Sequence, residues 1–251
     1  GWRGTDSQWH HFGKAYIFLA ALATPLVLSV HSVVSWDFAM AIVPGWHATI
    51  FAPYFVAGAI FSGVAMVITL VVPIRKIFGL EAYLTTKHFD AMAKLCLLTS
   101  LIVLYAYLCE FFLAWYSGES IEKASFWNRL FGDYWWATWT MLTCNGFVPI
   151  MLWFKRIRHS IPALFVISIF INIGMWFERY VIVVTSLHHE YEPFAWGIYR
   201  PSLTEMALLV GSFCWFGFWF LLFTRLLPPI AIAELKEVLP APTRKKTGEA
   251  Y

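Results

Sequence analysis

Residues 47–72 read HATIFAPYFVAGAIFSGVAMVITLVV, a run without a single Asp, Glu, Lys or Arg. About 20 apolar residues in a helix cross the roughly 30 Å hydrocarbon core of a bilayer. The run is continuously apolar and shows none of the ten-residue alternation that marks a transmembrane β-strand. It therefore predicts an α-helix that spans a membrane.

Working outward, five more runs meet the same test: 15–37, 88–116, 134–154, 161–187 and 202–227. Pro44, Gly45, Pro73, Gly118, Gly132, Pro193, Pro228 and Pro229 punctuate the gaps, where turn residues belong. The short link 38–46 makes the first two spans a helical hairpin. The fold class expected is all-α and integral to the membrane, with six transmembrane helices. Composition agrees. Of 251 residues, 60% are hydrophobic and 13% charged, with mean hydropathy +0.65, whereas a soluble domain carries about a quarter charged residues. A net charge of +3 is too small to suggest a nucleic-acid partner.

Three regions follow: an N-terminal segment 1–14, a six-helix domain 15–229, and a polar, basic tail 230–251 containing Arg244, Lys245 and Lys246. Residues 1–12 do not have the pattern of a signal peptide. The chain starts without Met, as a processed product or the C-terminal part of a longer protein would. Cys96, Cys109, Cys144 and Cys214 all lie in apolar runs and form no CxxC or CxxCH pair. They read as buried free thiols, and no metal or haem c site built by this chain alone is expected.

Orientation comes from the basic residues. Arg3, Lys14, Arg75, Lys76, Lys87, Lys155, Arg156, Arg158, Arg225, Lys236, Arg244, Lys245 and Lys246 fall on one side, and Lys123, Arg129 and Arg200 on the other. The first side is expected to be cytoplasmic, with both ends of the chain on it. Trp36, Trp46, Trp115, Trp135, Trp136 and Trp196 then form an aromatic belt at the outer surface.

Ionisable side chains inside a bilayer each need a partner or a purpose. With this orientation His31, Asp37, Glu110, Glu178 and Arg179 gather at one level below the outer surface, together with His47 and Glu205 at span ends. Asp90 and Lys94, one helical turn apart, can pair near the inner surface. Asn145 and Asn172 lie between the two levels, and Asn172 shares a helix face with Arg179. The set reads either as a proton path or as a group of structural ion pairs with Arg179 bound to Glu110 or Glu178. Haem ligation by His31 and His47 is a weaker reading. Gly58 and Gly63, with Ala57, Ala59 and Ser62, read as a small-residue face for close helix approach.

A resemblance becomes specific over residues 22–63, LATPLVLSVHSVVSWDFAMAIVPGWHATIFAPYFVAGAIFSG. With Gly1-Trp2-Arg3-Gly4, Gly79-Leu80-Glu81, Phe126-Trp127-Asn128-Arg129, Gly174-Met175-Trp176-Phe177-Glu178-Arg179 and 183–188, this stretch resembles the NrfD / polysulfide reductase C-type membrane subunit of bacterial alternative complex III, the ActC type. The matches run in order along nearly the whole chain. That family has about ten helices in two four-helix bundles, so the resemblance implies the second bundle plus flanking helices. It also implies that quinol-site residues lie outside this segment. What carries over is the bundle proposed to conduct protons, at His31, Asp37, Glu110, Glu178 and Arg179. The implied protein is a subunit, not catalytic alone, of a menaquinol-oxidising respiratory or photosynthetic complex in the bacterial inner membrane. No cofactor is implied on this chain itself. The implied partners are an iron–sulfur protein, a multihaem cytochrome c and a paralogous membrane subunit. A purely structural anchor and an independent secondary transporter remain as alternatives.

Overall fold

The computed structural model describes residues 1–46, 48–189, 191–232 and 235. Among the described residues the α-helices named are α1 (Asp6–Ala39), α2 (Phe51–Ile77), α3 (Thr86–Tyr116), α4 (Ser120–Phe131), α5 (Trp135–Leu142), α6 (Val148–Ile150), α7 (Lys155–Arg158), α8 (Ile161–Tyr180), α9 (Ser186–His188) and α10 (Leu203–Leu226). Among the described residues there is no β-strand.

Local chemistry sets the helix ends. Thr5 caps α1 through a box in which the Gln8 amide nitrogen donates to Thr5 Oγ1 and Gln8 Oε1 accepts from the Thr5 backbone. Thr85 and His88 do the same for α3. Gly45 and Gly79 stop the chain after α1 and α2 at φ +81° and +63°, conformations open to glycine.

Among the described residues five helical stretches are long and apolar enough to cross a membrane: Asp6–Ala39, Phe51–Ile77, Thr86–Tyr116, Ile161–His188 and Leu203–Leu226. The expected fourth span differs in kind. Its helical turns run without a break over 135–153, but as four pieces: α5, a π turn (Thr143–Phe147), α6 and a 3₁₀ turn (Met151–Trp153). Pro149 accounts for part of this. It has no N–H to offer the Asn145 carbonyl four residues back, and the π turn closes instead from the Val148 N–H to the Thr143 carbonyl. A second π turn, Val181–Thr185, joins α8 to α9.

The chain divides into two compact units, Gly1–Tyr199 and Arg200–Tyr251. In the first, α2, α3, the 135–153 stretch and α8 form a four-helix bundle. Each of α2 and the 135–153 stretch packs on both α3 and α8, and α1 packs along α2. Phe51, Tyr54, Phe61, Phe89, Tyr107, Leu152, Leu164 and Ile171 fill the interior. On α3 the residues Phe89, Ala93, Cys96, Ser100, Val103 and Tyr107 face inward, while Leu98, Ile102, Tyr105, Leu108 and Phe112 are exposed. Apolar side chains thus cover the outside as well as the inside, as lipid contact demands. The second unit contains α10, started by a Ser202–Glu205 capping box and apolar over its circumference. Of the basic tail, residues 236–251 lie outside the described residues.

Two readings of individual residues change. Gly58 does sit at a helix contact, where an added Cβ would lie 3.4 Å from the end of the Met175 side chain. Gly63 faces open space, with nothing within 4 Å of such a Cβ. Of the cysteines, Cys96 and Cys144 are buried, but Cys109 is half-buried and Cys214 exposed. In both cases hydrophobicity alone does not tell a bundle-facing position from a lipid-facing one.

Candidate functional site

Glu178 lies near the end of α8 and is 1% exposed. Its Oε2 accepts from the Tyr107 hydroxyl of α3 and, at 3.3 Å, from Asn145 Nδ2 of the π turn. Asn145 Nδ2 also donates to the Tyr107 hydroxyl at 2.9 Å, and Tyr54 of α2 adds a further polar contact to the same carboxylate. Every helix of the bundle therefore contributes to one carboxyl group. Arg179, half-exposed, approaches Glu178 Oε1 at 3.8 Å and lies over the Phe55 ring at 4.8 Å.

Small residues and the π turn permit this convergence. A Cβ on Gly174 would collide with Asn145 and Cys144, so α8 presses directly on the π turn through that glycine. A Cβ on Gly58 would come within 3.8 Å of Glu178 Oε1. Among the described residues Asn145 Oδ1 is buried without a hydrogen-bond partner. The indole of Trp46 donates to the Ile182 carbonyl at 2.7 Å, tying the link after α1 to the second π turn.

Next to this cluster, Glu110 of α3 feels the charges of Arg129 and Glu178. Arg129 comes from α4, the link helix outside the spans, and is 5% exposed. Its guanidinium donates to Ser186 Oγ at 2.5 Å and covers the Phe126 ring at 4.5 Å. It also lies under Gly45, where a Cβ would meet it at 2.8 Å. Burial lowers the proton affinity of Arg129, and Glu110 is the foremost group that opposes this; a guanidinium stays charged regardless. Glu110 lines a cavity of about 300 Å³ between the α1–α2 link, the end of α3 and α4.

Two further tiers lie toward the other end of the bundle. Midway, Asn172 Nδ2 donates to Thr69 Oγ1 at 2.9 Å, and Thr69 and Ser168 share a hydrogen bond of 2.8 Å. Ser168 precedes Glu178 by ten residues on α8, about 15 Å along a helix axis. At the far end Asp90 contacts Lys94 at 2.6 Å, Arg158 Nε at 2.9 Å and His159 Nε2 at 3.6 Å. Arg158 also donates to the carbonyls of Leu152 and Trp153, both at 2.8 Å, where the 135–153 stretch ends.

The structure thus brings Glu110, Glu178, Arg179 and Asn145 together, joins Asn172 to a hydroxyl pair, and extends the Asp90–Lys94 pair to Arg158. His31 and Asp37 stand apart on α1. His31 Nδ1 bonds the Val27 carbonyl of its own helix at 2.8 Å, and Asp37 is exposed. His47, the other half of the haem reading, lies outside the described residues, and Glu205 caps α10. Sequence reading missed Tyr54, Tyr107, Thr69 and Ser168, which look like core or packing residues in an apolar run. Arg129 is there an outer-side charge and part of the resemblance, not a site residue. His189, bonded to Asn128 and to the Thr185 carbonyl, was likewise unmarked; burial lowers its pKa. Among the described residues no group of three or more His, Cys, Asp or Glu is placed to hold a metal ion.

Residues 5–189 match the family described as polysulphide reductase, NrfD. The chain is also 29% identical, over 224 residues, to a protein from Halobacterium salinarum described as a membrane component of dimethyl sulfoxide reductase. That match covers 76% of this chain and 48% of the relative, so the chain spans about half the length of that relative.

Proposed function

The chain belongs to the polysulphide reductase NrfD family of multi-pass membrane proteins, and from that premise we propose that it is a membrane subunit of a quinol-oxidising electron-transfer complex. The type of complex is alternative complex III, with menaquinol as reductant. Its other members are an iron–sulfur protein and a multihaem cytochrome c, which hold the redox centres, and a paralogous membrane subunit. The complex sits in the bacterial inner membrane, with both ends of this chain on the cytoplasmic side, as the skew of basic residues supports. The test is isolation of the tagged chain from membranes in mild detergent. Co-purification with iron–sulfur and haem c proteins, and menaquinol oxidation by the preparation, is the expected result. A chain that purifies alone and supports solute uptake in vesicles would overturn the reading in favour of a transporter.

Within that complex the bundle conducts protons. The observation carrying this is the buried Glu178, held by all four helices, with a polar tier at Asn172, Thr69 and Ser168 and another at Asp90. A carboxyl group can hold or release a proton in place, and hydroxyl and amide groups between the tiers can orient waters that relay it. Glu110 and Arg129 form the mouth at the α1–α2 end, while His31 and Asp37, apart on α1, belong to the path only as surface groups on its outer side. One elementary charge moved across 100 mV corresponds to about 2.3 kcal/mol. A purely structural reading rests on a different feature of the same site, namely that Glu178 has partners on both oxygens and so can act as a knot tying four helices. Glu178→Gln separates the two, since the amide keeps hydrogen-bonding capacity but does not carry the proton.

A further inference from the structure

The cavity beside Glu110, at the mouth of the proposed proton path, has a chemistry that relaying a proton does not exhaust. Its walls are largely apolar, formed by Leu113, Tyr116 and Phe126, and its polar groups include Glu110, Glu122, Thr49 and Ser117, with the Ser117 hydroxyl donating to Glu122 Oε2 at 3.3 Å. Among the described residues Glu110 Oε1 is sealed from solvent and has no hydrogen-bond partner. Arg129, the nearby cation, directs its guanidinium to Ser186 and the Phe126 ring. A carboxyl group with one oxygen unpartnered, on a largely apolar cavity, offers a site to a donor that brings positive charge with it.

Depth narrows the donor. Glu110 lies nine residues beyond the midpoint of α3, about 14 Å along the axis. Half of a hydrocarbon core is about 15 Å. The carboxylate therefore stands at the boundary where lipid headgroups meet acyl chains. A cavity of about 300 Å³ admits a small headgroup while leaving chains to run along the exposed apolar face of α3, at Leu108 and Phe112.

We propose that this cavity binds the primary ammonium headgroup of an aminophospholipid, with the ammonium on Glu110 and its methylene arm against Tyr116 and Phe126. Three N–H donors and one positive charge match the carboxylate, and the neighbouring rings favour a cation at their faces. A quaternary ammonium of the same charge has no N–H to offer and is bound less well. The same chemistry is present in a free soluble amine, so the source is part of the test.

The purified complex is stripped of lipid, then offered phosphatidylethanolamine or phosphatidylcholine with identical acyl chains, and bound lipid is counted by native mass spectrometry. The expected result is at least tenfold preferential retention of phosphatidylethanolamine, reduced tenfold or more by Glu110→Gln. Displacement by free ethanolamine at equal concentration would overturn the lipid as the source and assign the site to a soluble amine. Equal retention of both lipids by the wild-type complex would overturn the ammonium chemistry altogether. Should Glu110→Gln fail to assemble, Leu113→Trp, which fills the cavity from its apolar wall, is expected to abolish the preference; an unchanged preference there also overturns the assignment.

Discussion

Gly45, Gly174 and Gly63 look alike in the sequence, yet the structure gives them different consequences. Gly45 holds a positive φ, and a Cβ there would meet the Arg129 guanidinium at 2.8 Å. Gly174 would drive a Cβ into Asn145 and Cys144. Gly63 faces open space. Gly45→Ala and Gly174→Ala are therefore expected to destabilise the protein by about 1–3 kcal/mol, read as a lowered melting temperature in detergent. Gly63→Ala, in a helix interior, should leave it unchanged or raise it, by up to about 1 kcal/mol. His189 makes a pH prediction at the same scale. Its folded pKa is lowered from the ordinary 6.5, chiefly by burial. Its contribution is therefore fully present above pH 6.5 and is lost as pH falls through the lowered folded value. Melting temperatures measured from pH 7.5 down to 5 should fall more steeply for the wild type than for His189→Gln.

At the scale of elements, the interrupted helices matter most. Five spans were legible from the length and continuity of apolar runs, because crossing a bilayer is a demand on composition. The interruption of the fourth was legible only as Pro149; where the extra residue of a π turn falls depends on packing against α8 through Gly174. That explains why Asn145 could be singled out in advance while its partners Tyr107 and Tyr54 could not. A tyrosine in an apolar run gives no sign of whether its hydroxyl meets lipid, water or a carboxylate. The far end of the same stretch is held by Arg158, which satisfies the last carbonyls and pairs with Asp90. Arg158→Ala should leave that end frayed. Hydrogen exchange over residues 150–160 is expected to speed up at least tenfold, with exchange in α2 and α8 unchanged.

For the whole molecule, the distribution of charge predicts a topology, and the polar residues lie in tiers along the bundle. Surface-reactive reagents applied to sealed, right-side-out vesicles should label Lys123 and leave Lys155 and Lys76 unlabelled; the reverse pattern would invert the orientation. Much of the buried site was readable because ionisable groups in lipid are expensive and few, which made Glu110, Glu178, Arg179, Asp90 and Lys94 visible at once. The same logic placed His31 and Asp37 with them by depth alone, whereas among the described residues α1 packs chiefly along α2 and His31 bonds its own helix. Depth follows from sequence; which face of the bundle a residue meets does not.

The most direct measurement is the proton-to-electron ratio of the complex in sealed vesicles during menaquinol oxidation, compared between the wild type and Glu178→Gln at matched assembly. If Glu178 carries protons through the bundle, the ratio falls in the variant while the haem c and iron–sulfur proteins remain bound. An unchanged ratio in an intact variant complex would contradict proton conduction and leave Glu178 as a structural knot between four helices.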